Sequence, residues 1–136
     1  MIDKLTVVTL IVKDQDKALD FYTRVLGLEK RNDFTGPGGA RWLTVAAKGQ
    51  DIEISLFKAG SWPNPKGGQF ELQPPNNGQW TFQSTDCKKD FEELKSKGVK
   101  FDQDKPGEFP WGIQAQFADP DGNRFVLLQV AAKQVW

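Results

Sequence analysis

Over residues 5–12 (LTVVTLIV) nearly every side chain is apolar and most are β-branched, the pattern of a buried strand. Asp14 follows as a helix cap, with Asp16 placed to favour the positive end of the helix dipole. Ala18, Leu19, Tyr22, Val25 and Leu26 then recur at helical spacing, and Gly27 sits where a helix ends in a left-handed residue. Three β-like runs come next, at 28–34, 41–47 and 51–57, punctuated by the turn sequences Gly-Pro-Gly-Gly at 36–39 and Lys-Gly-Gln at 48–50.

The same order then repeats. Residues 79–84 read as a strand, Thr85 or Asp86 as a cap, Phe91 and Leu94 as an apolar helical stripe, and Gly98 as its end. Runs at 99–102, 112–118 and 124–130 supply three more strands. An offset of 71 residues superposes Gly27 on Gly98 and Ser55 on Val126. The pattern predicts an α+β fold made of two βαβββ modules in one domain spanning 1–136. The modules run over about 4–58 and 79–132, joined by a Gly-, Pro- and Asn-rich segment at 59–78. Trp62 and Phe70 in that segment are candidates to close over a ligand as a flap. One helix covers only one face of each sheet, so the opposite faces are left to line a cup.

Composition adds exclusions. Lys plus Arg and Asp plus Glu number 18 each, so no global field draws the chain to nucleic acid or an anionic membrane. No apolar run approaches the ~18 residues of a spanning helix. One cysteine, Cys87, excludes an internal disulfide and fits a reducing cytoplasm. The chain has no histidine, the commonest metal ligand and the usual general base near neutrality. It has five tryptophans, residues that fill cores and also stack flat ligands.

Three segments carry a family resemblance. VKDQDKALDFYTRVLGLEK (12–30) resembles the first strand-to-helix passage of the vicinal oxygen chelate superfamily, the glyoxalase, bleomycin-resistance and dioxygenase proteins. PWGIQAQFADPDGNRFVLLQ (110–129) is similar to that family's C-terminal hairpin with its Asp-Pro-Asp-Gly-Asn turn, and GGARWLTVAA (38–47) resembles its third strand. The resemblance implies a cup that in the enzymes holds one divalent metal on two ligands from each half, and it implies a homodimer. Here the corresponding positions fall at Val7, Ser55, Trp80 and Val126. Val, Ser, Trp and Val do not replace imidazole and carboxylate. A shift of one or two residues at the third position brings in Gln79, Thr81 or Phe82, and a two-residue slip on the fourth strand brings in Glu53. Neither makes a metal site, so no metal and no cofactor are expected.

Period-two alternation then predicts what lines the cup instead. Val7, Thr9 and Ile11 face inward, with Trp42, Thr44, Ala46, Glu53, Ser55 and Phe57. Trp80, Phe82, Val126, Leu128, Gln114 and Gln116 follow from the second half, with Trp111 near the mouth. The candidate ligand-binding set is Thr9, Trp42, Glu53, Ser55, Trp80, Phe82, Trp111 and Gln114. An aromatic lining with few polar groups suits an organic ligand. The leading expectation is metal-independent binding of a small aromatic or cationic molecule, as in the bleomycin-resistance branch. The alternatives are a lyase, isomerase or dioxygenase of the same fold, with Glu53 as the candidate acid or base, and an interaction module whose cup is closed by tryptophan. Trp136 is left to pack on a subunit surface or fray.

Overall fold

Eight strands and two helices make two sheets of four strands in the computed structural model, which describes residues 1–61 and 72–132. Trp62, Phe70 and Trp136 therefore lie outside the described residues. Two compact units divide between Asn76 and Asn77.

In the first unit β1 (Val7–Val12) leads into α1 (Gln15–Asp20), which continues as one π-helical turn at Phe21–Val25. β2 (Glu29–Thr35), β3 (Arg41–Ala46) and β4 (Glu53–Lys58) complete the sheet in the order β1-β4-β3-β2. β1 runs parallel to β4, because the helix between them carries the chain back to the same end. Asp14 caps α1 by accepting from the Lys17 amide at 3.0 Å, and Gly27 closes it at φ +80. Leu10, Val12, Leu43, Val45 and Leu56 are fully buried on the helix-side face, under Ala18, Tyr22 and Val25. At ~2 kcal/mol for each large apolar side chain buried, this layer supplies most of the unit's driving force.

The second unit repeats the plan. β5 (Trp80–Gln83), α2 (Cys87–Ser96), β6 (Gly107–Phe109), β7 (Gly112–Ala118) and β8 (Arg124–Val130) form a sheet in the order β5-β8-β7-β6. Asp86 caps α2 through the Lys89 amide at 3.2 Å, and Gly98 ends it at φ +96. The Asp-Pro-Asp-Gly turn is built as its composition demands. Asp119 Oδ1 accepts from the Asp121 and Asn123 amides at 2.9 and 2.8 Å, while Gly122 takes φ +88. Asn123, fully buried, donates back to Asp119 Oδ2 at 2.9 Å.

The strand expected at 99–102 is not formed. Phe101 makes only a single bridge to Phe117, and the edge strand comes later, at Gly107–Phe109. The reason is local. Gln103 Oε1 accepts from the Gln116 amide at 2.9 Å, so a side chain takes the place that a strand carbonyl would fill. The other strands lie within about two residues of the expected bounds.

Two consecutive asparagines finish the sheets. Asn76 lies along the outer edge of β1, accepting from the Ile11 amide at 2.7 Å and donating to the Thr9 carbonyl at 3.0 Å. Asn77 does the same at the start of β8, accepting from the Arg124 amide and donating to its carbonyl at 3.0 and 2.9 Å. Each side-chain amide mimics one strand residue and covers backbone groups that an open edge would expose.

Candidate functional site

The helix-free face of the first sheet is ordered in rows. Asn32 on β2 pairs with Thr44 on β3, Thr44 with Ser55 on β4, and Ser55 with Thr9 on β1. Paired residues share a face, so four polar side chains cross the whole sheet in one line. Two residues along the strands lies an aromatic and apolar row. Phe34 pairs with Trp42 on β2 and β3, and Phe57 pairs with Ile11 on β4 and β1. Phe34 is exposed, Trp42 half-buried and Phe57 buried. On the other side of the polar line, Glu53 pairs with Val7.

Glu53 is tied to the polar line. Thr44 Oγ1 donates to Glu53 Oε1 at 2.5 Å, and Asn32 Nδ2 donates to the same oxygen at 2.8 Å. The Asn32 amide nitrogens, backbone and side chain, also donate to Thr44 Oγ1 at 3.1 Å each. Thr44, fully buried, thus accepts twice and donates once, a complete set for a hydroxyl. Two donors occupy Oε1, and no donor among the described residues reaches Oε2. No Lys or Arg among them pairs with this half-buried carboxylate; Glu29, at the edge of the same face, is already paired with Arg31 at 3.4 Å.

Ser55 is the exception to this satisfaction. Its side chain is fully buried, and its Oγ has no hydrogen-bond partner among the described residues. An unpaired buried hydroxyl costs about 1–3 kcal/mol, and native proteins carry few of them without a use.

The second sheet corrects part of the expected lining. Trp80 pairs with Phe125, Thr81 with Val126 and Phe82 with Leu127. Trp80 and Phe82 therefore lie on the helix side. Phe82 stacks on Phe125 at 5.1 Å, Phe125 on Phe117 at 5.4 Å, Phe117 meets Phe101 at 5.5 Å, and Phe101 reaches Phe91 of α2 at 4.3 Å. Trp80 meets Phe125 edge-on at 6.2 Å, and these helix-side contacts remove the half-buried Trp80 and Phe82 from the ligand-facing set. The helix-free face instead carries Thr81 and Gln83 beside Val126 and Leu128, and Gln116 and Gln114 beside them on β7. Counting seven residues back from Asp86, as Val7 is counted from Asp14, reaches Gln79. Its Oε1 accepts from Gln116 Nε2 at 3.4 Å. Gln116 is held in turn by Gln103, which donates to its Oε1 at 3.0 Å.

Trp111 and Gln114 do come together. Trp111 Nε1 donates to Gln114 Oε1 at 2.7 Å, and its ring stacks on Phe109 at 4.8 Å with an interplanar angle of 4°. Both rings are exposed. Their placement depends on Gly112, where φ is +148 and an added Cβ would lie 2.1 Å from the Gln129 carbonyl oxygen. Sequence reasoning missed Asn32, Gly112 and Phe109. Asn32 was legible only as a polar residue in a β-like run.

The positions that hold a cation in enzymes of the resembled family do not fit one here. Val7 and Val126 offer no donor, Ser55 offers a neutral hydroxyl, and the third position offers an aromatic ring, a glutamine amide or the Thr81 hydroxyl, according to the register taken. Hard and borderline divalent cations need carboxylate or imidazole in such a set, and Glu53 alone is one carboxylate. Among the described residues no three His, Cys, Asp or Glu side chains group closely enough to share an ion.

Comparison with known proteins agrees with the modular fold. The family model described as Glyoxalase/Bleomycin resistance protein/Dioxygenase superfamily matches residues 4–127. Among curated relatives, the uncharacterized protein YurT of Bacillus subtilis (strain 168) is 33% identical over 129 residues, covering 93% of this chain and 98% of the relative. A superfamily member from Sphaerobacter thermophilus DSM 20745 has a crystal structure that superposes with a TM-score of 0.79 at 32% identity, covering 94% of this chain and 98% of that one. The crystal structure of TnmS3, an antibiotic binding protein from Streptomyces sp. CB03234, superposes with a TM-score of 0.77 at 35% identity, covering 96% and 98%. The chain belongs to the glyoxalase/bleomycin resistance protein/dioxygenase superfamily.

Proposed function

We propose that this protein binds a small organic molecule, without a metal, on the helix-free face of its first sheet. One observation carries the reading: an aromatic row formed by Phe34 and Trp42 lies alongside a polar line from Asn32 to Thr9. A flat ring gains area and quadrupole contact on such a row, while hydroxyl, amide and carboxylate groups fix its orientation. The similarity to an antibiotic-binding protein at 35% identity supports drug or metabolite sequestration as the activity.

Thr9, Trp42, Glu53 and Ser55 are the proposed contacts of the first sheet. Trp111 and Gln114 are retained for the second, whose exposed indole stacked on Phe109 offers a flat apolar surface. Trp80 and Phe82 are not. A single domain with modules at about 4–58 and 79–132, a homodimer, and a cytoplasmic location complete the proposal. Among the described residues no helix is long and apolar enough to cross a membrane.

A panel of aromatic compounds, neutral and cationic, tests this reading by tryptophan fluorescence and melting temperature in a chelating buffer. Binding by some members that is weakened in Trp42→Ala is the expected result. A panel that neither quenches fluorescence nor raises the melting temperature overturns the proposal.

A further inference from the structure

We infer that the ligand presents a protonated amine to Glu53, over a polar line that itself lies one strand step from an aromatic row; this rests on the organic-ligand reading above and names its chemical class. Glu53 is half-buried and has no cationic partner among the described residues. Taking a carboxylate partly out of water costs free energy unless a counter-charge or donors replace the lost hydration. Thr44 and Asn32 provide two donors, but both go to Oε1. Oε2 has no donor among the described residues and is open to a ligand's.

Ser55 points to the same place independently. Its Oγ is buried and has no partner among the described residues, and it lies on the same face two residues along β4 from Glu53. An ammonium carries three donors. One directed at Glu53 Oε2 and another at Ser55 Oγ would satisfy both at once. Thr9, opposite Ser55, places a third oxygen beside them.

The flanking row fixes the rest of the molecule. Trp42 and Phe57 lie two residues further along their strands than Thr44 and Ser55, a step of roughly 7 Å. An aryl group attached to the amine by a short alkyl arm spans that step. The π faces add attraction for the cation and repel a ligand anion, as does the carboxylate. The fixed Asn32–Thr44–Glu53 hydrogen bonds keep the carboxylate from turning away, so little ordering remains to be done on binding.

The test compares naphthylethylamine with its neutral twin naphthylethanol by calorimetry, on the wild-type protein and on Glu53→Gln. The amine is expected to bind about tenfold more tightly than the alcohol to the wild type. In Glu53→Gln the preference should vanish through a loss of about tenfold in the amine's affinity, since a glutamine oxygen can still accept from Thr44 and Asn32 but carries no charge. Raising salt should weaken the amine and not the alcohol, a check that needs no variant. Equal binding of the two compounds by the wild type, or a preference that survives in Glu53→Gln, overturns the inference and leaves the organic-ligand reading standing. Binding of neither compound by the wild type counts against both.

Discussion

Thr44 Oγ1 donates to Glu53 Oε1 at 2.5 Å across neighbouring strands, which turns a lone acid on a sheet face into an oriented one. The bond uses the only hydroxyl proton that Thr44 has, and two Asn32 nitrogens fill its lone pairs. Replacing Thr44 by Val keeps shape and burial but removes all three bonds. The expected cost is about 1–3 kcal/mol in chemical denaturation, because Asn32 and Glu53 both lose a partner. A variant as stable as the wild type would show that the network contributes nothing.

Ser55→Ala should behave in the opposite way. The hydroxyl it removes is buried and unpaired among the described residues, so the ligand-free variant should be as stable as the wild type, or more stable by about 1 kcal/mol. A loss of more than that in urea unfolding would mean that Oγ has a partner, such as a buried water.

Gly112→Ala places a methyl group 2.1 Å from the Gln129 carbonyl oxygen, and at φ +148 the backbone itself disfavours a side chain. β7 must part from β8 at that end, at an expected cost of about 3 kcal/mol. Trp111 emission should shift as well, since its indole loses the geometry that meets Gln114. A melting temperature within error of the wild type would contradict this.

Asp33 links the fold to pH. The Arg41 guanidinium hydrogen-bonded to it at 2.8 Å holds its carboxyl below the usual aspartate value, and Arg41 is also paired with Asp16. A group whose folded value is depressed gives stability that is present above the unfolded value and lost as pH falls through the folded one. Stability should therefore drop on the acid side, below about pH 4, and less steeply in Arg41→Met. Identical acid limbs in the two proteins would remove Asp33 from the account.

Cys87 is fully buried at the start of α2, and burial raises its thiol above the usual value, with the nearby Asp90 carboxylate acting in the same direction. The thiolate is the reactive form, so a disulfide reagent at about pH 8 should modify the native protein slowly and the unfolded protein at once. Rapid labelling of native protein would contradict the burial.

Most of the fold was legible because its signals are local. Asp14 and Asp86 cap helices, Gly27 and Gly98 end them, and Asp119 to Gly122 forms the turn, each through bonds within a few residues. The face of the first sheet was legible too, since Thr9, Trp42, Glu53 and Ser55 alternate cleanly with buried aliphatics. The error at Trp80 has a physical cause. In Gln79-Trp80-Thr81-Phe82-Gln83 the apolar residues alternate with polar ones, which by itself sends Trp80 and Phe82 to the core. Setting Trp80 at a metal-ligand position overrode that alternation, and a one-residue slip moves every side chain to the other face. Asn32 was not legible because its value lies in a bond to Glu53, 21 residues away. Nor could any local pattern show that Asn76 and Asn77 cover strand edges 65 and 47 residues distant.

The most direct test of a metal-independent organic site on the first sheet is a nitrogen-15 NMR titration of the chelator-treated protein with naphthylethylamine. The account expects saturable shifts at the Trp42 indole and at the backbone amides of Thr44, Glu53 and Ser55, unchanged by added zinc or manganese. Shifts confined to other residues, or appearing only after a metal is added, would contradict it.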